Sequence, residues 1–403
     1  MITRHLNLLK IIDKNESMLL FGARGTGKTS LIRESLLHCQ REVLYFDLLK
    51  IDTFRAILGN PKYFHDTVSH KLRSVPQKKV LVVIDEVQKI PDLLNEVHHF
   101  IEEFPKRISF ILSGSSARKL KKSGANLLAG RAWSRKLFPL SSLELDLSVH
   151  EVLKFGSLPK PYLAEDEESK MEFLKSYVDN YLREEILQES VVRQFEAFSR
   201  FLDLAGQLNA EPINFSKLAK QLSLNPKTAQ NYYQILVDTL IACELPGWSA
   251  SVKKQLLQAP KFYFFDLGIL NAINGELNIE LKSSSFRYGK LFETFLVNEV
   301  MRWNQYLAAD YGFAYWRTST GKEVDLILSR KSGHPDWAIE IKSSMQPNED
   351  DLATLTLFKE EYPQVRTLCL SQTEKSYKVG STDVMPWREG LEFIFSKNQK
   401  NPL

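Results

Sequence analysis

Between Gly22 and Ser30 the chain reads Gly22-Ala23-Arg24-Gly25-Thr26-Gly27-Lys28-Thr29-Ser30. This spacing of glycines, lysine and hydroxyls suits it to holding phosphate, because it follows the pattern G-x-x-x-x-G-K-[ST]. Glycines let the backbone curl so that its N–H groups point inward at an anion. A helix starting at the same place adds positive partial charge. Lys28 then reaches the β- and γ-phosphates of a nucleotide, and Thr29 holds Mg²⁺. ATP and Mg²⁺ are the cofactors this stretch calls for. The competing interpretation is a Gly-rich turn before an ordinary helix. Apolar Met18 to Phe21 ahead of the loop and a helical pattern from Leu31 to Gln40 behind it favour the phosphate cradle.

A second group of residues fits the same chemistry. Lys79 to Glu86 is an apolar run ending in two acids, which reads as a buried parallel strand. Ligand sites in such sheets lie at the carboxyl ends of strands. Asp85 is placed there to order the Mg²⁺ shell, and Glu86 to polarise an attacking water. Arg107 to Ser113 is another apolar strand, followed by Gly114-Ser115-Ser116. Ser113 and Ser115 are candidates for sensing the γ-phosphate, against the plainer reading of a Gly-Ser turn. Arg131 can supply positive charge to a transition state, from the same chain or a neighbouring one. It can equally be a surface arginine.

A third group lies near the C-terminus. Glu293 falls on an amphipathic helix, Gly289 to Trp303, and Asp325 ends the run Gly321-Lys322-Glu323-Val324-Asp325. Glu340 and Lys342 lie in Trp337-Ala338-Ile339-Glu340-Ile341-Lys342. Side chains alternate across a strand, so Glu340 and Lys342 share a face. Asp325 meets them if the two runs form a hairpin through the turn-rich segment 331–336, and Glu293 approaches from the helix. Alternating charges on a half-exposed hairpin give the same pattern without chemistry.

These segments carry two resemblances. The order GARGTGKT, VVIDEVQKIPDLL, ILSGSS and LAGRAWSRKLFPLSSLEL resembles that of predicted AAA+-type P-loop ATPases of bacteria and archaea. Those proteins join an N-terminal ATPase domain to a C-terminal domain of uncharacterised function, and the resemblance runs nearly end to end. It implies ATP hydrolysis with Glu86 beside Asp85, and it implies that Arg131 belongs to the nucleotide site. Basic Arg24 inside the loop is a departure that the group tolerates. The C-terminal constellation resembles the PD-(D/E)XK nuclease fold, with Asp325, Glu340 and Lys342 at the matched positions and Glu293 as the helix acid. That resemblance implies Mg²⁺ on the two carboxylates and a lysine that orients or activates water.

The expected architecture is α/β in three parts. A parallel-sheet P-loop domain with helices on both faces covers 1–150. A helical lid and winged helix cover 151–275, and a nuclease-like α/β domain covers 276–403. Within the first part, 42–47 reads as a short strand, 55–73 as helix interrupted at Gly59-Asn60-Pro61, and 92–103 as an amphipathic helix. In the middle, 151–161 reads as a turn-rich junction, 170–190 as one long helix and 195–208 as another. Phe215 to Leu222 and Lys227 to Ile241 read as a helix-turn-helix. Its core is Leu218, Ala219, Leu222, Ile235, Leu236 and Leu240, and Pro226 opens the second helix. Asn225, Lys227, Thr228, Gln230 and Asn231 front that helix as candidate DNA-reading residues, with a wing from 244 to 265. One lysine there is thin for phosphate neutralisation, so a packing or lid role competes.

Composition narrows the class. The 403 residues are 43% hydrophobic and 25% charged with a net charge of +4, as in an ordinary globular protein and without a strong bias to nucleic acid. Cys39, Cys243 and Cys369 are too scattered for a metal motif or a disulfide framework, which points to a reducing cytoplasm. No apolar run is long enough to span a bilayer. Three functions fit: an ATPase coupled to a nucleic-acid partner such as DNA or to a protein partner, an ATP-regulated metal-dependent DNA nuclease, and a non-catalytic scaffold or regulator whose C-terminal fold is a binding module.

Overall fold

Val80–Asp85 is buried along its whole length, and that fact organises the N-terminal part of the molecule. Val80, Val82 and Ile84 join a core with Phe46, Phe64, Phe100 and Phe110. Leu81 and Val83, pointing the other way, are equally buried. A strand covered on both faces is what a near-continuous Val/Ile/Leu run specifies. Each such side chain contributes about 1.5–3 kcal/mol by leaving water.

The computed structural model describes residues 2–116, 128–182, 195–251, 258–331 and 333–396. The chain divides into two units, 1–139 with 238–240, and 140–237 with 241–403. The expected middle and C-terminal parts fall together in the second.

The first unit holds β1 (Ser17–Phe21), β2 (Glu42–Asp47), β3 (Val80–Asp85), β4 (Ile108–Gly114) and β5 (Ala132–Lys136). They form one parallel sheet in the order β2-β3-β4-β1-β5. Helices α1 (Leu8–Asp13), α2 (Lys28–Leu37), α3 (Ile51–Gly59), α4 (Lys62–Ser74) and α5 (Leu93–Glu103) accompany it. The topology sets β4 between the strand that feeds the glycine loop and the strand that ends in Asp85. The break between α3 and α4 falls at the Gly-Asn-Pro interruption. Strand β5 was not expected, because Ala-Trp-Ser-Arg-Lys at a half-exposed edge carries little apolar signal.

In the second unit, α6 (Val149–Phe155) and α7 (Glu167–Ser176) come first. The first corrects the expected turn-rich junction. Val152, Leu153 and Phe155 are buried, and Gly156 ends the helix with φ 75. The long helix expected over 170–190 also differs. It begins at Glu167 and passes into a π-helical stretch at Tyr177–Leu182, while 183–190 lie outside the described residues.

Helix α8 (Phe195–Gln207) precedes the pair α9 (Phe215–Gln221) and α10 (Pro226–Asp238). Leu218, Ala219, Leu222, Ile235 and Leu236 are buried as expected, joined by Ala229, Tyr232 and Tyr233. Leu240 does not belong with them: it is only half-buried and turns the chain with φ 62 after α10 ends. Strands β6 (Ala242–Leu245) and β7 (Lys261–Phe264) then pair antiparallel.

The remainder builds a six-stranded mixed sheet. Helix α11 (Leu267–Ile273) leads to α12 (Phe286–Tyr306). Next come β8 (Gly312–Arg317), β9 (Glu323–Ser329), β10 (Trp337–Lys342), α13 (Glu349–Glu361), β11 (Arg366–Ser371), β12 (Tyr377–Val379), β13 (Thr382–Pro386) and α14 (Trp387–Phe395). The strand order is β12-β13-β11-β10-β9-β8. Strands β9 and β10 are antiparallel, as the hairpin reading requires, with Ile339 opposite Leu326. Leu352, Leu355 and Phe358 of α13 close the core over Val324, Ile327, Ala338 and Cys369. Among the described residues no helix is long and apolar enough to cross a membrane.

Candidate functional site

The glycine loop leaves β1 at Phe21, where β4 pairs beside it at Gly114. Gly22 is required by contact: a Cβ there would lie 2.4 Å from Leu137 O and 2.8 Å from Thr26 Oγ1. Gly25 and Gly27 take φ of 82 and 93, which disfavour any side chain. The loop holds its own shape, with Thr26 Oγ1 donating to Ala23 O at 2.8 Å. Arg4 straps it from outside, donating to Thr26 O and to Phe138 O, each at 2.7 Å. Lys28 is buried, and its Nζ donates to Gly22 O at 2.7 Å and Ala23 O at 3.2 Å. The ammonium thus rests on the loop it serves. Ala23 is buried within the loop, Arg24 is exposed, and Ser30 lies on the first turn of α2.

Thr29 and Asp85 are brought together across 56 residues of sequence, with Oγ1 donating to Asp85 Oδ2 at 2.9 Å. Tyr45 OH donates to the same oxygen at 2.8 Å. Burial and then that carboxylate push the Tyr45 phenol well above its ordinary range. Ser113 Oγ donates to Asp85 Oδ1 and accepts the backbone N–H of Glu86 at 3.2 Å. Glu86 itself is left-handed, with φ 64 and ψ 47. A non-glycine residue in that region stores strain, and such residues cluster at functional sites. Its carboxylate accepts from Gln88 Nε2 and from Ser115 Oγ, the latter at 3.2 Å. Ser113 and Ser115 therefore sit beside the two acids, as the β4 position between the loop strand and β3 dictates. Arg131 is placed differently. It donates to Glu102 of α5 at 2.6 Å and to Ala129 O at 3.4 Å, neither of which belongs to the glycine loop.

Arg4, Tyr45 and Gln88 are the site residues that sequence reasoning missed. Tyr45 and Gln88 had a signal, as polar groups near the carboxyl end of a strand and two residues after the acid pair. Arg4 had none.

In the second unit the four C-terminal residues also converge. Lys342 Nζ lies 2.8 Å from Glu340 Oε1. Glu340 Oε2 is buried and accepts no hydrogen bond among the described residues. Continuing the hairpin register sets Asp325 opposite Glu340, and Asp325 Oδ2 accepts the N–H of Ile341 at 2.8 Å. Burial, then Glu340 and Glu293, raise the Asp325 carboxyl well above its usual range. Burial likewise lifts Glu340, against the pull of Lys342, to about 7. Burial opposes the charge on Lys342, but Glu340 and Asp325 outweigh it and hold the ammonium above the ordinary lysine range.

Three more residues join this cluster without having been foreseen. Glu293 accepts from Tyr263 OH at 2.8 Å and lies 3.6 Å from Lys261 Nζ. Lys261 also pairs with Glu323. Burial again opposes the lysine charge, and Glu293, Glu323 and Asp325 overcome it. Glu323 had a signal, since it lies two residues before Asp325 and so on the same face. Lys261 and Tyr263 come from β7, far away in sequence.

Among the described residues no three His, Cys, Asp or Glu side chains form a ready-made metal cage. On α10, Asn225 is spent on capping, accepting from Thr228 N at 2.8 Å and from Thr228 Oγ1 at 3.1 Å. Lys227, Gln230 and Asn231 are exposed.

Comparison with known proteins agrees with this geometry in the first unit. Residues 14–145 match a family model described as an AAA domain. Residues 147–282 and 288–389 match two models described as domains of unknown function, DUF8612 and DUF4143. An uncharacterized protein of Mycobacterium tuberculosis is 26% identical over 343 residues, covering 85% of this chain and 73% of its own. One from Haemophilus influenzae is 22% identical over 389 residues, covering 89% of this chain and 90% of its own. Among solved structures, the Walker-type ATPase of Pyrococcus abyssi aligns with a TM-score of 0.44 at 14% identity, covering 66% of this chain and 93% of its own. The Aeropyrum pernix ORC1 protein, solved in complex with DNA, aligns with a TM-score of 0.32 at 12% identity, covering 67% and 90%. Likeness at that level carries no inference about activity. The N-terminal part of this chain, residues 14–145, thus matches an AAA domain.

Proposed function

We propose that this chain is a Mg²⁺-dependent ATPase that couples its nucleotide state to a nucleic-acid or protein partner, through the three parts 1–150, 151–275 and 276–403. The observation that carries the reading is the 2.9 Å contact between Thr29 Oγ1 and Asp85. A hydroxyl and a carboxylate so placed fit the two protein positions that Mg²⁺ takes, with water and phosphate oxygens filling the rest. Thr29 and Asp85 would hold Mg²⁺, which would supply charge neutralisation for the phosphates. Lys28 turns from the loop carbonyls to the phosphates, Glu86 polarises the attacking water, and Ser113 and Ser115 hold the two acids in place. Chelating Mg²⁺ should abolish phosphate release and leave binding of a fluorescent ATP analogue measurable. Release that persists in EDTA would contradict the assignment.

Arg131 belongs to this reading as a residue acting on the nucleotide of a neighbouring copy, since its partners within the chain, Glu102 of α5 and Ala129 O, lie off the glycine loop. Arg131→Ala should lower turnover by roughly 10³-fold with little change in ATP affinity. Mixing it with Lys28→Ala should restore activity. Unchanged turnover in Arg131→Ala would make it a surface residue.

For the partner, α9, α10 and the β6–β7 pair support a winged-helix reading, with Lys227, Gln230 and Asn231 facing DNA. A protein partner is the alternative, because the exposed face offers so little positive charge.

A second reading is favoured by the orphaned Glu340 Oε2. A buried acceptor left unpaired is costly, and a divalent ion is the ligand that uses it. The nuclease-like site would hold Mg²⁺ on Asp325 and Glu340, where the ion would activate water and offset phosphate charge. Lys342 orients the water, and Glu293 flanks it from α12. Linear, circular and single-stranded DNA and RNA should be cleaved with Mn²⁺ and spared by Asp325→Ala and Lys342→Ala. No cleavage of any substrate would leave this part a binding module.

A further inference from the structure

Lys261 is 2% exposed. Lysine is almost never so buried unless it is paired, and here the pairing is double: Glu293 of α12 at 3.6 Å and Glu323 of β9. Its ammonium also lies 5.1 Å from the centre of the Tyr315 ring. The side chain is not on a mobile arm. Lys261 pairs with Leu245 in the β6–β7 ladder, bridges to Pro212, and follows Pro260, whose carbonyl accepts Ile213 N at 2.8 Å.

The charges in the cluster sort into two halves. Glu340 bonds Lys342, keeps Oε2 unpartnered, and lies by register opposite Asp325. Glu293 and Glu323 each turn an oxygen onto Lys261 instead, with Tyr263 OH completing Glu293 and Arg317 lying 3.6 Å from the second oxygen of Glu323. Four carboxylates are thus met by two ammonium groups and, at the rim, the Arg317 guanidinium, and the half around Lys261 is already satisfied. A lysine ammonium is a compact point cation, so it fills a cation position in a carboxylate cluster as a metal ion would.

We infer that Lys261 is a tethered cation occupying one of two cation positions in this cluster, so that the site takes a single divalent ion, on the Asp325–Glu340 side. The inference rests on reading that side as a metal site. It also ties the helix pair to the acidic site, because the strand supplying the cation is the one that follows α10 and β6.

The test counts Mn²⁺ bound per chain by electron paramagnetic resonance, without nucleotide, in a full-length Asp85→Asn background that silences the ATPase site. The reference should bind one Mn²⁺. Adding Lys261→Met should raise the count to two, and adding Lys261→Arg should leave it at one. A folded Lys261→Met protein with the reference count would overturn the inference while leaving the Asp325–Glu340 reading intact. A rise from none to one would support the role of Lys261 and sink the Asp325–Glu340 reading. No binding in either would sink both. If Lys261→Met does not fold, reductive methylation of the reference protein decides. Lys261 should stay unmodified with and without saturating Mn²⁺, and its modification in either condition would overturn the inference.

Discussion

Glu86→Gln is expected to lower ATP turnover by about 10²–10⁴-fold, the usual contribution of a positioned general base. ATP affinity should change little, because Glu86 faces Gln88 and Ser115 and is not on the glycine loop. Glutamine keeps the size and the hydrogen-bonding reach of the side chain and removes only the charge that polarises water. Lys28→Ala is the contrasting control. It removes the ammonium that meets the phosphates and should lose binding and turnover together. Steady-state phosphate release and equilibrium titration of a fluorescent ATP analogue separate the two outcomes. Equal turnover in the parent and Glu86→Gln proteins would remove Glu86 from the mechanism and shift attention to Asp85.

Arg302→Met should destabilise the second unit by about 3–5 kcal/mol, the range for stripping the partner from a buried charge. Arg302 is 4% exposed, and Glu299 is fully buried. The guanidinium donates to Glu299 Oε1 at 2.9 Å, Leu140 O at 3.0 Å, Ser157 Oγ at 3.1 Å and Phe265 O at 2.9 Å. Methionine fills the volume and leaves a buried carboxylate and two carbonyls without their donor. Glu299 would keep Ser141 and Ser142, whose N–H donates at 2.8 Å, but not its counter-charge. Lys170→Met, which breaks a half-exposed pair with Glu151, should cost no more than about 1 kcal/mol. Urea unfolding followed by tryptophan fluorescence measures both. An Arg302→Met midpoint within error of the parent would show that the network contributes nothing.

The two sites were legible in the sequence to different depths. The glycine loop and Asp85-Glu86 could be read locally, since each lies at a strand end whose apolar run is unambiguous. What the sequence could not supply was strand order. Only the placement of β4 between β1 and β3 explains why Ser113 touches Asp85, and nothing local ties Arg4 to Thr26 O. In the second unit the period-two pattern of β9 and β10 placed Asp325, Glu340 and Lys342 correctly on one face. Lys261 was invisible there, because a lysine at the start of a four-residue strand looks like any surface lysine until the fold buries it. Helix α6 was misread for a similar reason. Its seven residues are too short for a clear period, and the Gly-Ser-Leu-Pro that follows them dominated the pattern.

The most direct test of the central claim is a structure of the chain with a non-hydrolysable ATP analogue and Mn²⁺, using the anomalous signal to locate the metal. The claim predicts phosphates wrapped by residues 22–30, Lys28 Nζ moved from Gly22 O to the β- and γ-phosphates, and Mn²⁺ beside Thr29 Oγ1 and Asp85. Nucleotide bound elsewhere, or Mn²⁺ away from Thr29 and Asp85 with nucleotide in the loop, would contradict it.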